Sequence, residues 1–441
     1  MLDIKLIREN PSLIKENIKK RDDPEKLKLL GELLKVDSQW RKSQTEINEL
    51  RQKRNKLSLE IAKLKKEGKL AKKPLADAKK VDALIEKKQK NLNDLEAKEK
   101  TLLMSIPNLL HESVPIGKDE NDNIEVRKWC SKPRFDFIPK NHMEILENLN
   151  LVDAERAAKV AGTGFVFLKN EAVLLDLAIQ RFALDFLGKR GFVIVEPPLM
   201  INRNAYEGMI DATDFEMVTY KIENEDLYLI ATSEHALGAM LAGEIVDKTN
   251  LPLKVAGVSP CFRKEIGAHG KYTKGLFRMH QFNKVEQFVF CLPEQSWKIH
   301  EELQKNSEEL YQALGLHYRV VNVCSGDIGN IAAKKYDTEV WMADGKFREI
   351  GSNSNCTDYQ GRRLNIRFRE KQGQAPVGFV NTLNNTALAT SRTMIAILEQ
   401  FQQKDGSVLI PKVLQPYMNG IKKLDVSIPT EMVTYRKLYL G

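Results

Sequence analysis

Long apolar runs are missing from this 441-residue chain: none approaches the roughly 18 residues that a membrane helix needs, so a soluble protein is expected. Cysteine is scarce. The 5 cysteines, Cys130, Cys261, Cys291, Cys324 and Cys356, form an odd, scattered set with no C-x-x-C pair, which argues against a disulfide framework and a zinc ribbon. Reduced thiols in a cytoplasmic protein are the plain reading. The opening MLDIKLIRENPSL carries acids early and has no apolar h-region, so no secretory signal is expected. Most of the chain also lacks net charge. The formal balance is +9, and residues 41–100 alone hold nineteen Lys/Arg against ten Asp/Glu, an excess of +9. The rest is neutral on balance, so any polyanionic partner is expected to meet that one segment.

That segment is periodic. After two short helical stretches around Ile4–Ile7 and Leu13–Ile18, a long helix is predicted to begin near Pro24, with Asp22 or Asp23 as N-cap. Leu33, Val36, Trp40, Ser43, Ile47, Leu50, Arg54, Leu57, Ile61 and Leu64 keep the alternating three-and-four spacing of a coiled-coil seam. Gly68 and Pro74 interrupt it. A second register follows at Ala78, Val81, Ile85, Lys88, Leu92, Leu95, Glu99 and Leu102. The breaker predicts an antiparallel hairpin over about 25–103, its first helix projecting roughly 60 Å at 1.5 Å per residue. A solvated zipper between chains is the plainer alternative, although a zipper needs no internal breaker. Basic faces on such a hairpin suit an RNA backbone. The cluster of Pro, Gly, Asn and Asp in SIPNLLHESVPIGKDENDN marks a linker, which puts a boundary near residue 112.

Chemistry concentrates in Pro260–Glu286, PCFRKEIGAHGKYTKGLFRMHQFNKVE. If both flanks are strands, Arg263 and Glu265 share one face, as do Arg278, His280, Phe282, Lys284 and Glu286. Between them lies a loop with Gly267, Gly270, Lys271, Lys274 and Gly275. Arginine forks hold phosphate oxygens and a phenyl face stacks a base, so a nucleotide fits this face. An ordinary hairpin with a charged solvent side fits the spacing too. F-R-x-E, a loop, then G-L-F-R-M-H-Q-F resembles motif 2 of the class II aminoacyl-tRNA synthetases, specifically the seryl-tRNA synthetases.

Other stretches agree in order. The helical arm and N-x-x-H-x-S-V-P-x-G-x-D-E-x-D-N are similar to that family's N-terminal region and linker. LLDLAIQRFALDFL, two glycines, then FVIVEPPLM, with Pro198 at the expected place, resembles motif 1, the dimer-interface element. YLIATSEHALGAML places Thr232 and Glu234 at a helix start, where an N-cap and a first-turn acid are routine. TLNNTALATSRTMIAILEQFQ resembles motif 3, with Ala387, Ala389 and Thr390 where glycines are usual. PKVLQPYMNG closes the match. In REIGSNSNCTDYQGRRLNIRF, Glu349 is predicted to end a strand; Arg362, Arg363, Arg367 and Arg369 read as surface or RNA-facing.

The resemblance implies an α+β chain: an antiparallel-sheet class II catalytic domain with flanking helices (residues 113–441), and an N-terminal tRNA-binding helical domain with a long antiparallel coiled-coil hairpin (residues 1–112). It implies a ligase that joins serine to the 3′ end of tRNA(Ser), and also of tRNA(Sec), by way of seryl-adenylate, working as a cytoplasmic homodimer without membrane association. By the same resemblance Arg263, Arg392 and Glu265 are catalytic. Thr232, Glu234, Arg263, Glu286, Asn384 and Thr386 bind serine. Arg263, Lys264, Glu265, Arg278, Met279, Phe282, Glu349, Ile350, Gly351, Ser352 and Arg392 bind ATP, and Glu349 with Ser352 holds Mg²⁺. Three other relatives compete: a non-catalytic RNA binder, a carrier-protein loader, and a zinc-dependent type. The second lacks a long arm. The third needs Cys and Glu ligands, a pattern that Cys261, Cys324 and Cys356 do not match.

Overall fold

The computed structural model describes residues 1–211, 215, 217–265 and 275–425. The chain divides into two compact units, Met1–Pro107 and Asn108–Gly441. The first is all helix: α1 (Ile4–Glu9), α2 (Pro11–Lys20), α3 (Pro24–Lys66) and α4 (Lys72–Ser105). Asp23 caps α3 by accepting from the backbone of Glu25 and Lys26, with Pro24 at the first position, where its missing N–H costs nothing. The 43 residues of α3 make a rod of about 64 Å. Gly68 ends it with φ +68°. The Lys69 N–H reaches the Leu64 carbonyl at 2.9 Å and the Gly68 N–H reaches Lys65 at 3.2 Å, the paired bonds of a Schellman stop. Pro74 plays a different part from that expected of it. It stands inside the first turn of α4, where a proline is tolerated, so Gly68 alone makes the break.

Helices α3 and α4 pack along each other. Leu33, Val36 and Ile47 of α3 and Val81, Leu92 and Leu102 of α4 are buried, all at predicted seam positions. Leu50, Leu57, Ile61 and Leu64 are only half-buried, because a helix with a single partner covers one stripe. At the base of the hairpin Asp37, 1% exposed, accepts from Arg8 of α1 and Arg41 of its own helix.

The second unit is built on an eight-stranded sheet, labelled here in chain order: β1 (Ile124–Trp129), β2 (Val193–Val195), β3 (Leu253–Phe262), β4 (Gln281–Cys291), β5 (Tyr318–Asn322), β6 (Lys334–Trp341), β7 (Phe347–Asn355) and β8 (Asn381–Ala389). The spatial order is β1-β5-β6-β7-β8-β4-β3-β2. Every pairing is antiparallel except the last, where β2 runs parallel to β3. The stretch FVIVEPPLM does not run as one strand. Val193–Val195 joins the main sheet, while Met200–Ile201 pairs with Tyr228–Leu229 in a separate ribbon, as two consecutive prolines between them cannot donate to a ladder.

Helix α5 (Glu171–Gly188) packs against the sheet, and helix α7 (Ser296–Leu314) crosses its back; the short α6 (Ser233–Ala239) and α8 (Thr390–Gln400) meet other parts of it. Ile179, Leu303, Val289, Leu383 and Ile395 are fully buried in the shared core. The contact under α7 is polar. Asn385 donates to Ser307 Oγ at 2.9 Å, Ser307 donates to the Thr386 carbonyl at 2.9 Å, and Gln287 reaches Ser307 at 3.2 Å. Such satisfied networks resist sliding, so they fix the register of the strands whose other face is open. Among the described residues no helix is long and apolar enough to cross a membrane.

Candidate active site

The open face of the sheet collects charge. On β4 Phe282, Lys284 and Glu286 alternate onto that face, opposite Cys261, Ser259 and Gly257 of β3. On β8 Thr386 lies beside Glu286 and donates to its Oε2 at 3.2 Å. Two residues earlier, Asn384 donates to Glu234 Oε1 at 3.0 Å. Glu234 is in the first turn of α6. Thr232 is the N-cap there and accepts from the Glu234 N–H at 3.2 Å, so the local capping role is realised and fixes where Glu234 stands. Lys284 Nζ lies 2.7 Å from Glu286 Oε2, the side chains 7% and 1% exposed. Burial and the Glu286 charge push the Glu234 carboxyl up to about 7, against the pull of Lys284 and Arg263. His235 is pushed down to about 3 by burial and by the same two cations.

Strand β3 stops at Phe262, and β4 starts at Gln281. Arg263, Glu265, Arg278 and His280 therefore lie beyond the strand ends, not on the paired face expected of them. They are held by other means. The Arg263 N–H donates to His280 O at 3.0 Å, its Nε donates to Ala231 O at 3.2 Å, and its guanidinium lies 5.2 Å from the Phe282 ring centre. Glu265 takes a left-handed backbone, φ 48°, and its Oε2 meets Arg278 at 3.2 Å. The Lys264 N–H is tied to Val218 O. Gly267, Gly270, Lys271 and Lys274 lie outside the described residues.

At the other margin a bulge decides the geometry. Glu349 pairs with Glu339 and Gly351 with Thr338, so two steps on β7 match one on β6. In a regular strand Glu349 and Ser352 would face opposite ways; the bulge puts both on the open face. Ser352 donates to the buried Asp337, whose carboxyl is pushed up to about 7 by burial despite Lys335. Partial loss of water works against the Glu349 charge, whose side chain stays 47% exposed, and Arg392, the nearby lysines and Arg263 hold its pKa below the usual range. Arg392, near the start of α8, donates to Glu349 O at 2.8 Å, lies 3.6 Å from its Oε2, and covers the Phe277 ring at 4.8 Å. A carboxylate and a hydroxyl whose proton is committed to Asp337 form a hard oxygen pair that suits Mg²⁺ sharing its remaining positions with water and phosphate.

Three predicted members point elsewhere. Ile350 and Met279 are buried in the core. Gly351 faces the back, where an added Cβ would sit 3.2 Å from Thr386 Cβ and 3.3 Å from Tyr311 Oη. Only their backbones can serve a ligand. The arginines after β7 are structural ties: Arg363 donates to the carbonyls of Glu207 and Ile210, Arg369 pairs with Asp247, and Arg362 with Asp358. Sequence reasoning gave no role to Lys284 or Asp337. The first left a signal, opposite charges two apart on one strand face; the second left none, since its partner is on another strand.

Fold and site define a class II aminoacyl-tRNA synthetase. Residues 217–401 match the tRNA synthetase class II core domain (G, H, P, S and T). Residues 1–110 match the seryl-tRNA synthetase N-terminal domain, and the chain belongs to the seryl-tRNA synthetase family. It is 54% identical to a serine–tRNA ligase of Methanocella arvoryzae over 96% of this chain and 100% of that one. The seryl-tRNA synthetase of Pyrococcus horikoshii, solved with ATP, superposes with a TM-score of 0.91 at 50% identity, covering 96% of this chain and 99% of that one. The cytoplasmic serine–tRNA ligase of Naegleria fowleri, solved with AMP, gives 0.85 at 36% identity over 97% and 99%.

Proposed function

We propose that this protein is a cytoplasmic serine–tRNA ligase that activates L-serine with ATP and charges tRNA(Ser), and also tRNA(Sec). The observation that carries the reading is the adjacency of two sets on one face: Glu286, Thr386, Asn384 and Glu234, joined in hydrogen-bonded pairs, and Arg263 with Phe282. The first set suits an amino acid bearing a hydroxyl, the second a nucleotide.

A carboxylate acylates poorly, so it must be activated. One serine carboxylate oxygen attacks the α-phosphorus of ATP, the bond from that phosphorus to the bridging oxygen breaks, and pyrophosphate leaves. Two anions approach while charge builds on the phosphate, and fixed cations lower that barrier without a nucleophilic side chain. Arg263 holds the α-phosphate and the serine carboxylate, Arg392 the outer phosphates, and Arg278 is a further phosphate contact. Phe282 stacks the adenine, and Glu265 accepts from its exocyclic amine. Glu349 and Ser352 would hold Mg²⁺, which when bound supplies charge neutralisation to the phosphates. Glu234 and Thr232 take the serine ammonium; Glu286, with Thr386 and Asn384, takes the hydroxyl. The terminal ribose hydroxyl then attacks the seryl carbonyl, and AMP leaves.

Residues 1–112 act as the tRNA-binding domain through the basic hairpin, and residues 113–441 as the catalytic domain. A homodimer covers Val173 and Leu177 of α5 and Val193 and Ile194 of the edge strand β2, all exposed in the single chain. Amino-acid-dependent ATP–pyrophosphate exchange tests the assignment. Serine alone should support turnover, and exchange with another amino acid, or with none, overturns it.

A further inference from the structure

We infer that Lys284 is a positioning residue for serine selection: it holds Glu286 turned so that one carboxylate oxygen is left to receive the substrate hydroxyl. The inference rests on the serine–tRNA ligase reading above. Both bonds to Glu286 fall on the same atom. Lys284 Nζ at 2.7 Å and Thr386 Oγ1 at 3.2 Å each meet Oε2, and among the described residues no partner meets Oε1, which is left to accept.

Charge balance gives the second line. The pocket holds two carboxylates, Glu234 and Glu286, close enough that the Glu286 charge opposes ionisation of Glu234. Two acids in a dry site share one proton unless a cation stands by. Around the Lys284–Glu286 pair the neighbours are Glu234 and His235 from α6, Cys261 from β3 and Arg263 just beyond it, Glu349 from β7 and Tyr311 from α7. Of these His235 is held neutral by burial, the Cys261 thiol and Tyr311 phenol are pushed up by burial, and Arg263 is committed to the carboxylate and phosphate side. Lys284 is thus the cation that lets Glu286 accept a hydroxyl while Glu234 accepts an ammonium. An arginine in its place keeps the charge but brings a wider, planar head into a site where Lys284 is only 5% exposed.

Lys284→Met tests this in the full-length protein, by serine-dependent pyrophosphate exchange between pH 6 and 9. In the wild type, KM for serine should fall as pH rises through about 7, because ionised Glu234 binds the ammonium. In the variant KM for serine should rise at least thirtyfold at pH 7 with KM for ATP within twofold. The midpoint of its pH profile should move up by about one unit or more. Adding Glu286→Gln to Lys284→Met should cost little further, since the charge being balanced is gone. Lys284→Gln gives the same comparison if the Met variant does not fold, and Lys284→Arg should recover part of the serine affinity. An unmoved pH profile, or equal losses for serine and ATP, overturns the inference. If the wild type itself shows no serine-dependent exchange, the functional reading fails instead, so the two failures are separable.

Discussion

The helical hairpin and the catalytic sheet use the same charged residues in opposite ways. In the hairpin, lysines cover the outside and the few ion pairs between its helices, Lys98–Glu32, Arg54–Asp82 and Lys88–Glu46, are largely exposed. In the sheet, Lys284–Glu286 and Ser352–Asp337 are taken out of water, and every residue of β8 is buried. Water screens the first kind of charge, so it acts collectively and at long range. The second kind is unscreened and depends on single atoms. Removing one charge should therefore matter greatly in the sheet and little in the arm, where effects need several removals at once.

The largest break in that comparison is Arg263→Ala. Loss of a fixed cation at the reacting phosphate should lower kcat/KM for exchange about 10²–10³-fold, while filter-binding of tRNA is unchanged. Glu286→Ala should lose serine activation, and normal serine-dependent exchange in that variant would count against the pocket as drawn. Next comes the arm. Lys66, Lys69, Lys72 and Lys73 changed together to Gln should leave exchange intact, weaken tRNA binding, and reduce the slope of log K against log salt by about 3. Any one of these changes alone should move the slope by no more than about 1. A single lysine that abolished tRNA binding would break the contrast.

Asp37 is the exception inside the arm, and it sharpens the point. It is as buried as Glu286 and has two arginines on it. Asp37→Ala leaves Arg8 and Arg41 facing each other at the root of α3. Thermal unfolding should register a loss of about 2–4 kcal/mol, discounted because both arginines keep some contact with water. Exchange below the transition should be untouched, as the sheet does not use this pair.

How much could be read from residues alone divides along the same line. Much of the hairpin's seam was legible: the alternating three-and-four spacing found Leu33, Val36, Ile47, Val81 and Leu92, which are buried, because a helix with one partner repeats one local rule. The open face of β4 was legible for the same reason, the period of two carrying Phe282 to Glu286. Contacts between strands were not. Ser352 meets Asp337 fifteen positions away, and the bulge that turns Glu349 and Ser352 to one side depends on the pairing with β6. Nor did four arginines after β7 announce that Arg363 ties down the carbonyls of Glu207 and Ile210. Pro74 misled in the other direction, since a proline stops a helix in its middle but opens one in its first turn.

The smallest effect belongs to Lys88–Glu46, a pair across the hairpin with both partners more than a third exposed. The bond lowers the Glu46 pKa through its hydrogen bond and charge, but solvent competes for both groups and two long side chains are immobilised to make it. A double-mutant cycle with Lys88→Ala and Glu46→Ala should give a coupling indistinguishable from zero at physiological salt. Sign follows from linkage: the folded carboxylate titrates lower than the unfolded one, so whatever coupling exists is present at pH 7 and lost as pH falls below the ordinary glutamate range. A substantial coupling at 0.15 M salt would mean that this part of the arm is drier than its exposure indicates. The division between collective surface charge and single buried charges would then stop short of the hairpin's middle.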